Sequence, residues 1–354
     1  MKKAIACSLI LLSVAGSSAM GKAYRFEFEK NIETGNRAEL SVSNISGRIE
    51  IAAAAVDKVT INAVKNVRAV DAEEAEKIAD RIEIRVSRTD HQVTVETNYL
   101  KGGPGSRSLW ERLFGSGEDS YGDVDYTITV PYDCRTEIDN VSGEVFVTGT
   151  KSSTYISTTS GGMRLQDITG LIDVETVSGE IELDNIKGDV SISATSSEAR
   201  LSVIDGIIDI HTTSGETRAD DIRGPITISE TSGDVTLNGM NGDVRIKSIS
   251  GDINIQQESG AIDIITQSGT VRVRSELDSR KEYYVETTSG TIDFLVPETS
   301  SGSVRIETVS GAIETRLDMT ARVSSRTKFT GEFGKGGPKI SLMSMSGDIV
   351  IGKF

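Results

Sequence analysis

Acidic side chains recur in this sequence at a fixed distance. Glu144, Glu180, Glu198, Glu216, Asp234 and Asp252 each follow a Ser-Gly or Ser-Ser pair, and they are spaced by 18 residues or twice that. Carboxylates brought into register repel one another, so solvent and salt, backbone N–H groups or bound cations must compensate them. Calcium takes about six to eight oxygen ligands, which makes a cation ladder one reading of this series. The nine-residue calcium rolls, however, are written Gly-Gly-x-Gly-x-Asp, and here the glycines are single and the acid occupies another slot. A solvated acidic edge is the plainer reading, with structural calcium as the alternative and no other cofactor expected.

Other reactive residue types are sparse. His91 lies in a strand-like stretch and His211 stands beside Asp209; neither has a Ser, Cys or metal-ligand partner at a recognisable spacing. Cys134 follows "VPYD" and reads as a small buried hydrophobe. "GKGGP" at 334–338 lacks the spacing and the Ser/Thr of a phosphate loop and reads as a turn. Asn44 and Asn140 begin glycosylation-like triplets that are better explained as part of the repeat. No catalytic residue is assigned. A candidate partner surface lies in "KGGPGSRSLWERLFGSGEDSYGD", where Leu109, Trp110, Leu113 and Phe114 could share one helical face. That face either plugs an open end or flank, or anchors a partner or membrane surface.

The elements that would position these residues follow from the repeat. Ser-Gly pairs begin at Ser142, Ser160, Ser178, Ser214, Ser232, Ser250 and Ser268, with Ser196-Ser197 filling the one gap. Midway between them stand Gly170, Gly188, Gly206, Gly224, Gly242 and Gly260, so the basic unit is a nonapeptide and two make a period. Apolar residues are read two, four and seven places after each glycine: Ile172, Val174, Val177; Ile181, Leu183, Ile186; onward to Val244, Ile246, Ile249. Alternation with β-branched residues is a strand signal. One short strand can neither bury its face nor satisfy its backbone, but strands stacked every second nonapeptide do both. The expected fold is all-β: a single-domain parallel β-solenoid with 18-residue turns and a short helix in its irregular N-terminal turns. Glycine is needed at the corners for positive φ or close backbone approach. Ser197 replaces a corner glycine, Ala199, Thr217 and Ala219 underfill their slots, and Glu258 and Gln267 are expected to place polar groups in the third one.

Residues 20–140 read as irregular first turns that cap the solenoid, with "DAEEAEKIADRI" presenting Ala72, Ala75, Ile78, Ala79 and Ile82 on one helical face. Residues 141–354 read as the regular solenoid; after residue 275 the Ser-Gly steps lengthen through Ser289, Ser310 and Ser346, implying longer loops. Residues 1–19 have the two lysines, short apolar run and small-residue end of a secretory signal. A lipoprotein reading through Cys7 is the rival, disfavoured because little apolar sequence precedes it. Removal of the signal would leave Cys134 alone, without an intramolecular disulfide. No other stretch is long and apolar enough for a transmembrane helix. The formal net charge of −15 argues against nucleic acid as a partner.

The segments "NVSGEVFVTG", "ETVSGEIEL", "HTTSGETRADDI", "YTITVPYDCRTEIDNVSG" and "SMSGDIVIGKF" resemble a bacterial family of exported adhesin-like proteins, a domain of unknown function. The resemblance covers most of the chain beyond the signal and implies a solenoid, but no catalytic or metal-binding residue. The expected function is a non-enzymatic cell-envelope protein, in the periplasm, on the surface or outside the cell, meeting a glycan, protein or surface ligand. Two alternatives stand beside it: a polysaccharide-acting β-helix enzyme, marked by a groove with three or more convergent charged groups, and a passive spacer or scaffold that self-associates weakly end to end.

Overall fold

The structure, a computed structural model, describes residues 22–100 and 122–354. Strands make up nearly all of it; the helix Ala72–Ala79 is the exception among the described residues. Two compact units divide after Met163.

The second unit is a parallel β-solenoid. The strands Ile172–Lys187 and Val190–Asp205 pair in parallel with an 18-residue offset, Ile172 opposite Val190 and Leu183 opposite Leu201. The offset persists through Ile208–Ser214, Ile226–Ser232, Val244–Ser250 and Ile262–Ser268 in one column, and through Thr217–Arg223, Val235–Asn241 and Ile253–Ser259 in the other. Ile181 and Ile192 are buried, as are Ile172, Val174, Leu183, Ile186, Ile210 and Ile228. Each rung therefore hides its aliphatic residues between the two columns while its backbone bonds to the rungs before and after, which is the arrangement the alternation requires.

The two half-turns differ in a way that corrects the third slot. Before the Ser-Gly corners, alternation runs unbroken, so the third inward residue lies six places after the glycine: Thr176, Thr212, Ser248, Thr266. Val177 and Ile249, expected inside, are 51% and 45% exposed. Glu258 and Gln267 also face outward, and Gln257 takes the inward place. The inward hydroxyls are bonded: Thr176, Thr212, Ser248 and Thr266 each donate to the carbonyl of the corner serine two residues on, at 3.1–3.3 Å. In the other half-turn, to which Glu258 and Gln257 belong, the slot-seven reading holds on the rungs up to Met240 because the backbone bulges. Asp167, Asn185, Val203, Asp221 and Gly239, 18 residues apart, all have φ between 53° and 61°. A left-handed residue there leaves two successive side chains outside and returns the next, Ile168, Ile186, Ile204, Ile222 or Met240, to the core.

The corner glycines answer to both reasons given for them. At Gly251 (φ 128°) a β-carbon would overlap the carbonyl oxygen of Gly233 on the preceding rung. At Gly233 the φ is not in the left-handed range, yet the same overlap with Gly215 would arise, so closeness alone excludes a side chain.

Beyond Ser289 the rungs cease to follow chain order. Lys339–Ser346 pairs in parallel with both Glu282–Ser289 and Gly302–Ser310, and Ile349–Lys353 with both Ile292–Val296 and Ile313–Thr315. The last rung of the sequence is thus inserted between two earlier ones. The hairpin of Thr320–Ser324 and Lys328–Phe333 then covers Gly302–Ser310 antiparallel.

In the first unit, Arg37–Ser46 lies parallel to Asp133–Ser142, Ser46 opposite Ser142, and Asp133–Ser142 continues to Thr154–Ser160. Ile49–Ala54 is parallel to both Gly122–Pro131 and Val145–Thr148. Antiparallel strands flank this core: Lys58–Ala69 against Gly122–Pro131, then Lys22–Glu33, and the hairpin of Ile82–Thr89 with Gln92–Tyr99. The helix is capped by Asp71, which accepts from the Glu74 N–H at 2.9 Å. Its apolar face is narrower than expected, with Ala75 and Ala79 buried, Ile78 half-buried and Ala72 exposed.

Candidate functional site

In the second unit Glu180, Glu198, Asp234 and Asp252 of the acid series are held by protein groups. Asp234 Oδ1 accepts the backbone N–H of Asp252, and Asp252 Oδ1 that of Thr270, both at 2.8 Å. The Arg200 guanidinium bridges Glu180 and Glu198, reaching the latter at 2.5 Å, and Arg272 approaches Asp252 at 3.5 Å. The opposite corner follows the same rule: Asp189 takes the Ile207 N–H at 2.9 Å and Asp243 the Ala261 N–H at 2.8 Å. Lys281, 2.6 Å from Asp243, holds that carboxyl below its usual range. Asp189, Asp234, Asp243 and Asp252 each thereby tie one rung to the next. Glu144 stands in the first unit at its Ser-Gly corner. Among the described residues no three His, Cys, Asp or Glu side chains converge to hold a metal.

The other singled-out residues are dispersed. His211 Nδ1 lies 3.4 Å from Asp209, and His91 Nδ1 lies 3.2 Å from the Thr34 carbonyl. Cys134 is fully buried, and burial pushes its thiol up to about 12, so it holds its proton and is a poor nucleophile. Asn44 and Asn140 are buried in the inward slot; Asn44 donates to the Ser46 carbonyl at 3.1 Å and Asn140 to the Gly143 carbonyl at 3.3 Å. Leu109, Trp110, Leu113 and Phe114, the signal residues 1–19 and Cys7 lie outside the described residues.

The concave feature that does gather polar chemistry was not singled out in the sequence. A groove of about 450 Å³ runs beside the bulges of the second unit, across successive rungs that present Asn185 and Lys187, Val203 and Asp205, Asp221 and Arg223, Gly239 and Asn241, and Glu258. It exists because each left-handed residue turns the chain outward before the corner. The residue two places later stacks in register: Lys187 opposite Asp205, Asp205 opposite Arg223, Arg223 opposite Asn241. Signs therefore alternate along the wall. Among the described residues none of Lys187, Asp205, Asp221, Arg223 and Glu258 is held in an ion pair, whereas Asn241 accepts from Ser259 at 2.7 Å. A signal was present: Asp, Asn, Asp and Gly at 167, 185, 221 and 239 are residues that tolerate a left-handed backbone, 18 or 36 apart.

An 18-residue rung, glycine corners and an inward hydroxyl row define the second unit as a parallel β-solenoid. Residues 207–352 match the profile of the Toastrack DUF4097 family, a domain of unknown function, in accord with the resemblance read from the repeats. Two solved structures align broadly: a "putative cell adhesion protein" from Clostridium sporogenes, at 12% identity over 93% of this chain and 99% of that one with a TM-score of 0.20, and a "putative adhesin" from Bacteroides fragilis, at 12% identity over 93% and 97% with a TM-score of 0.30. Scores this low carry no inference about activity. No curated protein matches the chain. Among the described residues no helix is long and apolar enough to cross a membrane.

Proposed function

We propose that the protein is an exported, non-catalytic, adhesin-like binding module of the cell envelope, using stacked rungs to repeat weak contacts along one ligand. The observation that carries this reading is the register of outward side chains in the second unit, where Ser196 stands opposite Ser214, Ser214 opposite Ser232 and Ser232 opposite Ser250, so that one contact chemistry recurs rung after rung. Repetition at fixed spacing raises avidity without demanding a strong single site. The secretory character of residues 1–19 supports export. Fractionation of cells expressing the full chain tests the location, and incubation of residues 20–354 with a glycan array and with whole cells tests binding. Retention with no new reducing ends is the expected result; a cytoplasmic pool overturns export.

The enzyme reading is favoured by one observation, the several carboxylates along the groove. Glycoside cleavage requires two of them about 5–9.5 Å apart across the scissile bond. Release of reducing ends from soluble polysaccharide would establish it in place of the binding reading.

A further inference from the structure

We infer that the bulge-side groove of the second unit is a binding site for a single extended strand of uncharged, hydroxyl-rich polysaccharide. This rests on the binding function proposed above and gives it a place and a ligand class.

The site is long rather than deep. Its lining residues come from five successive rungs, a length of roughly 19 Å at the usual strand spacing. Such a trough suits a chain laid along it better than a compact metabolite. Its rung spacing is comparable with the repeat of an extended hexose chain, so each rung can meet one sugar.

The lining chemistry selects the ligand. Lys187 and Arg223 offer N–H donors, Asp205, Asp221 and Glu258 offer acceptors, and Asn185, whose amide nitrogen donates to Asp167, offers its amide oxygen. Hydroxyl groups give and take hydrogen bonds together, so a wall of alternating donors and acceptors matches neighbouring hydroxyls. Bonds to ionised groups are the stronger ones. A polyanion would meet three carboxylates in the groove and a formal net charge of −15 on the chain. A polycation would meet Lys187 and Arg223. The uncharged chain is the one that neither sign repels.

Gly239 keeps the groove open. It occupies the left-handed position held by Asn185, Val203 and Asp221 on the preceding rungs, with φ 61°. A β-carbon there would stand 2.7 Å from Asp221 Oδ1, the mobile end of a side chain. Gly239→Asn is therefore compatible with the bulge, as Asn185 already shows, and places an amide in the trough.

The test is titration calorimetry of residues 20–354 with cellohexaose, chitohexaose and a hexamer of galacturonic acid. The expected result is binding of one or both neutral hexamers, loss of binding in Gly239→Asn at unchanged melting temperature, and a tenfold or greater weakening in Arg223→Ala, whose exposed side chain can be removed without disturbing the core. Should Gly239→Asn fail to fold, Arg223→Ala and Asp221→Asn decide the matter. Neutral-hexamer binding that survives all three variants overturns the site but leaves the envelope-binding function standing. Preference for the galacturonate hexamer overturns the ligand class. Binding to whole cells without binding to any hexamer overturns the groove as a glycan site, and absence of both removes the function on which it rests.

Discussion

Thr212 and Glu230 occupy the same inward slot one rung apart, and only the threonine can satisfy it unconditionally. The Thr212 hydroxyl donates to the Ser214 carbonyl at 3.1 Å. Glu230 is 7% exposed, and neither of its carboxyl oxygens has a hydrogen-bond partner. Ser248 lies beside the carboxyl and favours its ionised form, but the serine proton goes to the Ser250 carbonyl at 3.3 Å. Burial, reinforced by the charge of Asp234, raises the Glu230 carboxyl from 4.5 to about 7.

The sign of the resulting pH dependence follows. Below about pH 4.5 the acid is neutral whether the chain is folded or not, and it takes nothing from stability. As pH rises towards 7 the unfolded chain ionises while the folded one resists, so stability falls across that window and levels off above it, by a total of about 3 kcal/mol. Glu230→Gln removes this loss and supplies an N–H donor for the slot. Thermal melts are expected to show the variant more stable than the parent at pH 8 and equal to it at pH 4; equal stability at pH 8 refutes the account.

Two glycine substitutions separate closeness from conformation. Gly251→Ala brings a β-carbon into the Gly233 carbonyl and strains the backbone as well, whereas Gly35, at φ 75°, has nothing within 4 Å of its would-be β-carbon. Denaturant titration is expected to place Gly251→Ala about 3 kcal/mol or more below the parent and Gly35→Ala about 1 kcal/mol below it.

Val203 is the misfit of the bulge column. A β-branched residue at φ 54°, 48% exposed, gains little from burial and is strained by its conformation. Val203→Asn, which copies Asn185, is expected to stabilise the chain by about 1 kcal/mol and raise its melting temperature by about 2 °C. A lower melting temperature would show that the valine makes contacts worth more than its strain.

Gln257 is a buried polar link. Its Nε2 donates to the carbonyls of Gly242 (2.8 Å) and Ala261 (3.2 Å), and its Oε1 accepts from Ser275 (2.9 Å). Gln257→Leu takes the side-chain donor from the Gly242 and Ala261 carbonyls, while Ser275 keeps the Glu276 carbonyl as acceptor at 3.1 Å, and is expected to destabilise by about 2 kcal/mol. Ser275→Ala removes the other end of the link, and a double-mutant cycle in urea measures the coupling between the two.

The repeat was legible because its physics is local. Corner glycines, alternating aliphatics and an 18-residue step fix the stacking of Ile181 and Ile192 without knowledge of anything distant. Slot six was misjudged because Thr176 and Ser248 are polar by type, and their burial depends on a hydroxyl reaching the corner carbonyl, a bond that composition does not display. The groove escaped for the same reason: Lys187, Asp205 and Arg223 look like ordinary outward charges until the left-handed residues two places earlier are seen to turn the chain outward and leave a groove beside them. The inserted rung left no mark either, because "SMSGDIVIGKF" reads as the next repeat in line.

That insertion has a consequence for how the molecule is made. A spool wound from one end could finish each layer as it leaves a ribosome or a translocation pore. Here Gly302–Ser310 cannot close on the layer of Glu282–Ser289 until Lys339–Ser346 has slid between them. Strands made later thus act as a latch on earlier ones, so these layers close together, once Lys339–Ser346 has emerged. A chain cut short before residue 339 keeps its earlier layers and leaves this end unfastened.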